Sequence, residues 1–127
     1  CGVSGYRSYE RQEELYQKKL REQPKENGDP VHWIAPPGAS EHQTGLALDV
    51  SCQAVDYQLD ERFGETREGR WLKRCAPLYG FILRYPKGKE HITGYGWEPW
   101  HIRYVTRSLA LYLTLTGLTL EEYYEQK

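Results

Sequence analysis

Residues 45–51 (Gly-Leu-Ala-Leu-Asp-Val-Ser) alternate strictly between two kinds of side chain, and no other segment constrains the fold as strongly. A period of two residues predicts a β-strand, because successive side chains of a strand point to opposite faces. The residues divide into an apolar face of Leu46, Leu48 and Val50 and a small face of Gly45, Ala47 and Asp49. We expect the apolar face to lie on the core. The small face leaves room beside the Asp49 carboxylate, which is typical of a strand that borders a ligand site.

Helical patterns account for much of the remaining chain. They cover residues 8–22, 66–79, 107–116 and 120–126. Ser8 and Thr66 are predicted N-caps, and Thr119 with Glu122 predicts a capping box. The residues of the second helix that are predicted to be buried are Trp71, Leu72, Cys75 and Leu78. Pro77 is predicted to distort the last turn of that helix, because proline lacks the backbone N–H.

Two further segments have the pattern of strands. Residues 81–85 are mainly apolar or aromatic, and residues 98–105 alternate between two faces. Residues 23–41 are rich in proline and glycine and predict a long surface loop. Together the elements predict an α+β fold, in which helices pack on a small, mainly antiparallel sheet. The length of 127 residues predicts a single domain over 1–127.

Charge and hydropathy exclude two classes of protein. Seventeen Lys and Arg residues stand against eighteen Asp and Glu residues, which gives a formal net charge of −1. A nucleic-acid-binding domain usually has a basic excess, and this chain has none. Mean hydropathy is −0.81, and no segment approaches the ~20 apolar residues of a membrane-spanning helix. We therefore expect neither a nucleic-acid partner nor a membrane span.

The chain begins without the basic and apolar regions of a signal peptide. Residues 1–4 (Cys-Gly-Val-Ser) have the pattern of the end of a β-strand that begins before residue 1. We therefore expect an N-terminal portion to be missing, together with any export signal or anchor. The cysteines Cys1, Cys52 and Cys75 form no CxxC pair, so a thiolate zinc site is not expected. A disulfide between Cys52 and Cys75 and two buried free thiols are both compatible with the sequence.

Two histidines and an aspartate stand out as possible metal ligands. A catalytic zinc typically has three protein ligands from His and carboxylate side chains and one position left open. His42 precedes the strand that carries Asp49, and His101 lies on the second alternating segment. Glu98, three residues before His101, is a candidate general base for a hydrolase. By residue type alone, ordinary structural roles for each of these side chains remain open.

Three motifs in a fixed order make the pattern far more specific. Residues 4–8 (Ser-Gly-Tyr-Arg-Ser) come first, residues 40–49 match SxHxxGxAxD, and residues 98–101 (Glu-Pro-Trp-His) match ExxH. In this order the motifs resemble the zinc D-alanyl-D-alanine carboxypeptidases of the VanY type. These enzymes belong to the LAS peptidase group (family M15, subfamily M15B), which also includes L,D-carboxypeptidases. The resemblance extends from residue 4 to about residue 105.

The resemblance implies a zinc cleft on the open face of the sheet, with His42, Asp49 and His101 as the ligands of Zn²⁺. It implies that Glu98 takes a proton from the attacking water and later gives it to the leaving amine. Arg7 is expected to stabilise the scissile carbonyl oxygen as it gains negative charge, or to hold the terminal carboxylate of the substrate.

Three further residues are candidates for contacts with the substrate. Ser40 and Gln12 are candidates for its carboxylate, and Trp97 is a candidate for the wall of the cleft. Residues 85–95 form either a mobile flap or an ordinary hairpin. The resemblance also implies a peptidoglycan stem peptide or precursor as partner and a monomer in the bacterial cell envelope, outside the cytoplasmic membrane.

The expected activity is hydrolysis of the C-terminal D-alanine from peptidoglycan stem peptides or precursors. An L,D-carboxypeptidase that acts on tetrapeptide stems is the alternative within the family. A non-catalytic, zinc-containing cell-wall binding module is an alternative of another class. Glu98 argues against this module, because a structural site needs no base and usually closes its fourth position with protein. A Cys–His hydrolase is a weaker alternative, since nothing around Cys52 indicates an activated thiol.

Overall fold

A four-stranded antiparallel sheet lies at the centre of the computed structural model, which describes residues 1–22 and 34–126. The strands are β1 (Gly2–Ser4), β2 (Ala47–Val50), β3 (Phe81–Leu83) and β4 (His101–Tyr104). Their order across the sheet is β1-β2-β4-β3, and each neighbouring pair is antiparallel. The register of β2 and β4 sets Asp49 directly opposite His101. The pairing of β2 with β4 therefore brings two distant motifs together.

Helices surround this sheet. They are α1 (Tyr9–Glu22), α2 (Arg67–Cys75), α3 (Glu90–Thr93), α4 (Arg107–Thr116) and α5 (Leu120–Glu125). Short 3₁₀ turns cover Glu41–Thr44, Gln53–Val55, Glu61–Glu65 and Ala76–Tyr79. The predicted α+β class is confirmed. No helix in the described ranges is both long enough and apolar enough to cross a membrane.

The predicted helix caps form as expected. The Ser8 hydroxyl accepts the backbone N–H of Arg11 at 3.1 Å, and the Thr66 hydroxyl accepts that of Gly69 at 3.0 Å. Thr119 and the residue three positions later make both hydrogen bonds of a capping box. Because these caps depend only on neighbouring residues, local sequence was enough to predict them.

The hydrophobic core consists of two separate clusters of buried residues. One contains Cys52, Val55, Phe63 and Trp100, with Val50 and Leu72 packed against it. The other contains Ile82, Ala110, Leu113 and Leu120, and joins β3 to α4 and α5. All three cysteines lie in the described part of the chain, and each is a free thiol.

The second predicted helix differs from the structure in two respects. The α-helix ends at Cys75 and continues as a 3₁₀ turn over Ala76–Tyr79, where Pro77 removes a backbone donor. The predicted burial of Trp71 and Leu78 is wrong, since these side chains are 52% and 50% exposed. The reason is that α2 packs through the backbone of Gly69. A Cβ at Gly69 would lie only 2.0 Å from the carbonyl oxygen of Phe63, and Trp71, two residues further on, projects from the opposite side of the helix.

The alternation of β2 is present, but its more buried face is not the apolar one. Ala47 and Asp49 are each only 4% exposed, whereas Leu46 is 40% exposed and Leu48 and Val50 are half-buried. The expectation that the apolar face lies on the core holds for Val50, which packs against the first apolar cluster, but not for Leu46. Asp49 is buried because polar side chains from other elements pack against it.

The remaining differences concern connections. Residues 23–33 of the predicted loop lie outside the described residues. The segment 85–95 contains α3, so the connection from β3 to β4 is not an ordinary hairpin turn. Both predicted strands are shortened, because regular pairing covers only Phe81–Leu83 and His101–Tyr104.

Candidate metal centre and active site

Three buried side chains converge beside the centre of the sheet. His42 lies in the 3₁₀ turn that precedes β2, Asp49 lies on β2, and His101 begins β4. One ligand atom from each side chain lies within 4.8 Å of those from the other two. The three residues are only 4–5% exposed. This is a donor set of two imidazoles and one carboxylate, which is the chemistry of a catalytic zinc site.

The orientation of both imidazole rings also suits a metal. His42 Nδ1 lies 2.8 Å from the carbonyl oxygen of Gly5, and His42 Nε2 lies 3.1 Å from Asp49 Oδ2. His101 Nε2 lies 3.1 Å from Glu41 Oε1, and His101 Nδ1 lies 2.8 Å from Asp49 Oδ1. The outer nitrogen of each ring lies against an oxygen that can accept its hydrogen. His42 Nε2, His101 Nδ1 and the Asp49 carboxylate face one another, so these three donors could hold a divalent metal.

Hydrogen bonds keep the buried carboxylates of the centre ionised. Burial alone raises the pKa of Asp49, but hydrogen bonds from His101 and His42 bring it below its ordinary value. Burial likewise raises the pKa of Glu41, yet bonds from His101 and Arg84 lower it to about 2. For His101, burial lowers the pKa, and bonds to Asp49 and Glu41 raise it to about 9. Anionic carboxylates at neutral pH are what a divalent cation requires.

Glu98 lies in the same cavity but has the opposite electrostatic character. Its side chain is 7% exposed. Burial raises its pKa to about 7, assisted by the charges of Asp49 and Glu41 and opposed by His101. Its backbone carbonyl accepts the N–H of His101 at 3.2 Å, so the candidate base and the candidate ligand are held by one turn. A carboxyl group with a pKa near neutral pH is suited to gain and lose a proton during a reaction.

Arg7 lines the cavity and is held in place by polar contacts. Its Nη1 donates to Gln12 Oε1 at 2.8 Å, and its Nη2 donates to Ser4 Oγ at 2.8 Å. Nη2 also lies 3.8 Å from Asp49 Oδ2. Burial lowers the pKa of the Arg7 guanidinium, and Asp49 opposes this effect. Since these contacts use two of the five donors of a guanidinium, others are available to a substrate oxygen.

Gln12 and Ser40 are both components of the cavity wall. Gln12 is completely buried, and its Nε2 donates to the carbonyl oxygen of Ala35 at 2.6 Å. It therefore supports Arg7 at the same time as it lines the cavity. The Ser40 hydroxyl accepts the backbone N–H of His42 at 3.3 Å, as the cap of the turn that carries this ligand.

The cavity has a volume of about 420 Å³ and is lined by all the predicted site residues with the exception of Trp97. Trp97 instead packs against Gly64, where an added Cβ would lie 2.5 Å from the indole ring. Lys87 Nζ lies 4.8 Å from the centre of the same ring. Because Trp97 is not among the residues that line the cavity, its contact with a substrate stays a prediction without support from this cavity. Leu15 and Lys19 on α1 form part of the outer wall.

The structure adds side chains that the motifs did not single out. Tyr85 stacks on the His101 ring with the ring centres 5.1 Å apart and an interplanar angle of 17°, and Tyr95 packs on Tyr85 at 4.6 Å. Glu41 occupies a variable position of SxHxxGxAxD, and the spacing of the motif therefore carried no signal for it. The aromatic enrichment around β3 was a signal for Tyr85, but sheet packing explained it equally well.

Comparison with known proteins agrees with this geometry. A family model described as VanY, D-alanyl-D-alanine carboxypeptidase, matches residues 1–107. The chain is 47% identical over 126 residues to a protein of Bacillus subtilis (strain 168) named "Putative carboxypeptidase YodJ", covering 99% of this chain and 45% of that protein. The chain thus spans about half the length of this relative.

Two solved structures share the fold. The structure of the LdcB LD-carboxypeptidase has a TM-score of 0.88 and 46% identity, over 98% of this chain and 57% of that one. A mutant of the vancomycin resistance D,D-pentapeptidase VanY, in complex with Zn(II), has a TM-score of 0.79 and 37% identity, over 98% of this chain and 70% of that one. Together with the match over residues 1–107, these similarities show that the chain belongs to the VanY family of D-alanyl-D-alanine carboxypeptidases.

Proposed function

We propose that this chain is the catalytic part of a zinc-dependent carboxypeptidase that releases C-terminal D-alanine from peptidoglycan stem peptides or their precursors. The observation that carries the proposal is the convergence of His42, Asp49 and His101 in one cavity with Glu98 and Arg7. The Zn(II) complex of the related VanY supports the choice of metal. The family supports the choice of substrate.

The residues that would hold zinc are His42 through Nε2, His101 through Nδ1, and Asp49 through its carboxylate. Zinc, when bound, supplies a Lewis acid that makes water nucleophilic near neutral pH and polarises a carbonyl group. The other chemical tasks fall to side chains of the cavity.

Glu98 is the general base and then the general acid. It accepts a proton from the water that attacks the scissile carbonyl, and it delivers this proton to the leaving amine of D-alanine. Both protonation states are accessible near neutral pH, because burial raises its pKa to about 7. The burial that raises the pKa also keeps bulk water from competing for the proton.

Arg7 is the cationic partner of the substrate. Its guanidinium is held by Gln12 and Ser4, and therefore little side-chain entropy is lost when a substrate oxygen binds. It stabilises the carbonyl oxygen that becomes negative during attack, or it binds the terminal carboxylate. Ser40, on the same wall, adds a hydroxyl for that carboxylate.

Replacing Arg7 by alanine is expected to lower kcat by about 10²- to 10³-fold, because one electrostatic stabiliser of the transition state is lost. Zinc content should not change. Arg11→Ala is the matched control, since Arg11 lies on the exposed side of α1 and forms an ion pair with Glu14 there. The measurement is D-alanine release from a stem peptide with saturating zinc. If Arg7→Ala lowers kcat by less than about threefold, the proposed role is contradicted, because so small a loss is no larger than the net contribution of one ordinary hydrogen bond.

An L,D-carboxypeptidase is the second candidate. This chain is 46% identical to the LdcB LD-carboxypeptidase and 37% identical to the D,D-pentapeptidase VanY. The two activities differ in the chirality of the residue before the scissile bond. The cavity must accept either a D-alanine methyl group or the longer side chain of an L-residue at that position.

Product analysis distinguishes these activities. The zinc-loaded full-length protein is incubated with a pentapeptide stem that ends in D-Ala-D-Ala and with a tetrapeptide stem that ends in one D-alanine. Mass spectrometry then reports which peptide loses one alanine residue. Release from the pentapeptide alone supports the D,D activity, and release from the tetrapeptide supports the L,D activity. If neither peptide is shortened, the proposed function is wrong.

We propose that the protein acts in the bacterial cell envelope, outside the cytoplasmic membrane, where the peptidoglycan stem peptides lie. The alternative of a non-catalytic wall-binding module gives Glu98 no task, although its carboxyl group is buried beside the metal ligands. Action as a monomer remains part of the proposal.

A further inference from the structure

Glu41 stands between two motif residues but directs its side chain to a third. It follows Ser40 and precedes His42, yet its Oε1 lies 3.1 Å from His101 Nε2, sixty positions further along the chain. The Glu41 side chain is 12% exposed. The carboxylate thus lies behind the His101 ring, on the side opposite to Asp49.

Two arginines hold this carboxylate in place. Glu41 Oε2 accepts hydrogen bonds from Arg84 Nε at 2.7 Å and from Arg103 Nη1 at 2.7 Å. Arg84 is in turn fixed by α5, because both of its terminal nitrogens donate to the Glu121 carboxylate. One carboxylate oxygen is therefore used for anchoring, and the other remains for His101.

The two ligand histidines differ in what supports them. His42 Nδ1 donates to a backbone oxygen, that of Gly5, which no side-chain substitution removes. His101 Nε2 lies against the Glu41 carboxylate, so the support of this side chain depends on one residue that can be replaced. When a metal occupies Nδ1 of a neutral His101 ring, Nε2 carries the hydrogen, and Glu41 is placed to accept it.

We propose that Glu41 is a positioning residue, which fixes the tautomer and the ring orientation of His101 so that Nδ1 presents its lone pair to the metal. This inference rests on the proposed zinc site. A carboxylate behind a histidine ligand also makes the ring a stronger donor, and loss of such a partner typically weakens metal binding by about 10- to 100-fold. Arg84 and Arg103 act through Glu41, because they prevent the carboxylate from turning away.

The test measures zinc affinity by competition with a chelator, in full-length protein that carries one substitution at a time. We expect Glu41→Ala to weaken zinc binding by about 10- to 100-fold and Glu41→Gln by less, since the amide retains an oxygen acceptor for His101. Glu125→Gln is the matched control, because Glu125 is an exposed carboxylate on α5. Unchanged affinity in a folded Glu41→Ala protein overturns the inference.

Glu121→Gln separates positioning from general support of the fold. This substitution weakens the anchor of Arg84, but Arg103 and the Nε of Arg84 still donate to Glu41, so its contact with His101 stays in place. It should lower the melting temperature while zinc affinity stays within about threefold, as for a change that does not touch a ligand. If Glu121→Gln weakens zinc binding as much as Glu41→Ala does, the effect is structural and the inference is wrong.

A measurement on the unsubstituted protein guards against variants that do not fold. Long-range ¹H–¹⁵N spectra of the zinc-loaded protein should show the His101 proton on Nε2, protected from exchange with water. A proton on Nδ1 overturns the inference. These readouts do not depend on turnover. A zinc affinity that responds to Glu41, together with no release of D-alanine, rejects the proposed activity and retains the positioning role.

Discussion

Glu98→Ala is expected to abolish most turnover and to leave zinc in place. The carboxyl group lies in the cavity with the ligands, but it is not one of the three side chains whose donor atoms converge. A positioned acid–base group typically contributes about 10²- to 10⁴-fold to the rate, so kcat should fall by that amount. Zinc content and zinc affinity should equal those of the unsubstituted protein.

The measurement combines metal analysis with D-alanine release at saturating stem peptide. Glu98→Gln is a useful second variant next to Glu98→Ala, because the amide keeps the shape of the side chain but cannot accept and return a proton. Glu90→Gln serves as the control, since Glu90 lies on the exposed surface of α3 in the same connection. Retention of most activity by a zinc-loaded Glu98→Ala protein contradicts the mechanism.

Asp49→Ala is expected to lose zinc, and activity with it. Asp49 is the only anionic member of the three converging ligands, and it contacts both His42 Nε2 and His101 Nδ1. Since even a residue behind a ligand contributes about 10- to 100-fold to affinity, loss of this ligand should weaken binding by more than ~100-fold. His42→Ala and His101→Ala should behave similarly.

Equilibrium dialysis against zinc, followed by metal analysis, measures this loss. Asp49→Asn tests whether the charge or the oxygen is needed, because the amide retains one oxygen and carries no charge. Asp60→Asn is the control, as Asp60 is a surface carboxylate that pairs with Arg62. In parallel, a chelator should stop hydrolysis by the unsubstituted protein and added zinc should restore it. Stoichiometric zinc at unchanged affinity in Asp49→Ala would exclude the site.

Features that depend on neighbouring residues were predictable from the sequence. Thr119 and Glu122 form a capping box because the two residues lie within one turn. The alternation of residues 45–51 predicted β2, and the motif spacing predicted which side chains lie on it. Burial was less predictable, because it depends on what packs against a face. Trp71 is exposed since α2 approaches the core through Gly69, and no periodicity reports such a close backbone approach.

The sequence by itself determined the donor chemistry of the site, because the residue types and spacings of two motifs specify His42, Asp49, Glu98 and His101. Only the tertiary structure decided how these groups are held. Antiparallel pairing of β2 with β4 sets Asp49 against His101, and Glu41 reaches that histidine together with Arg84 and Arg103. Contacts across 43 to 62 positions of chain arise from packing, since local conformational preference does not extend beyond a few residues.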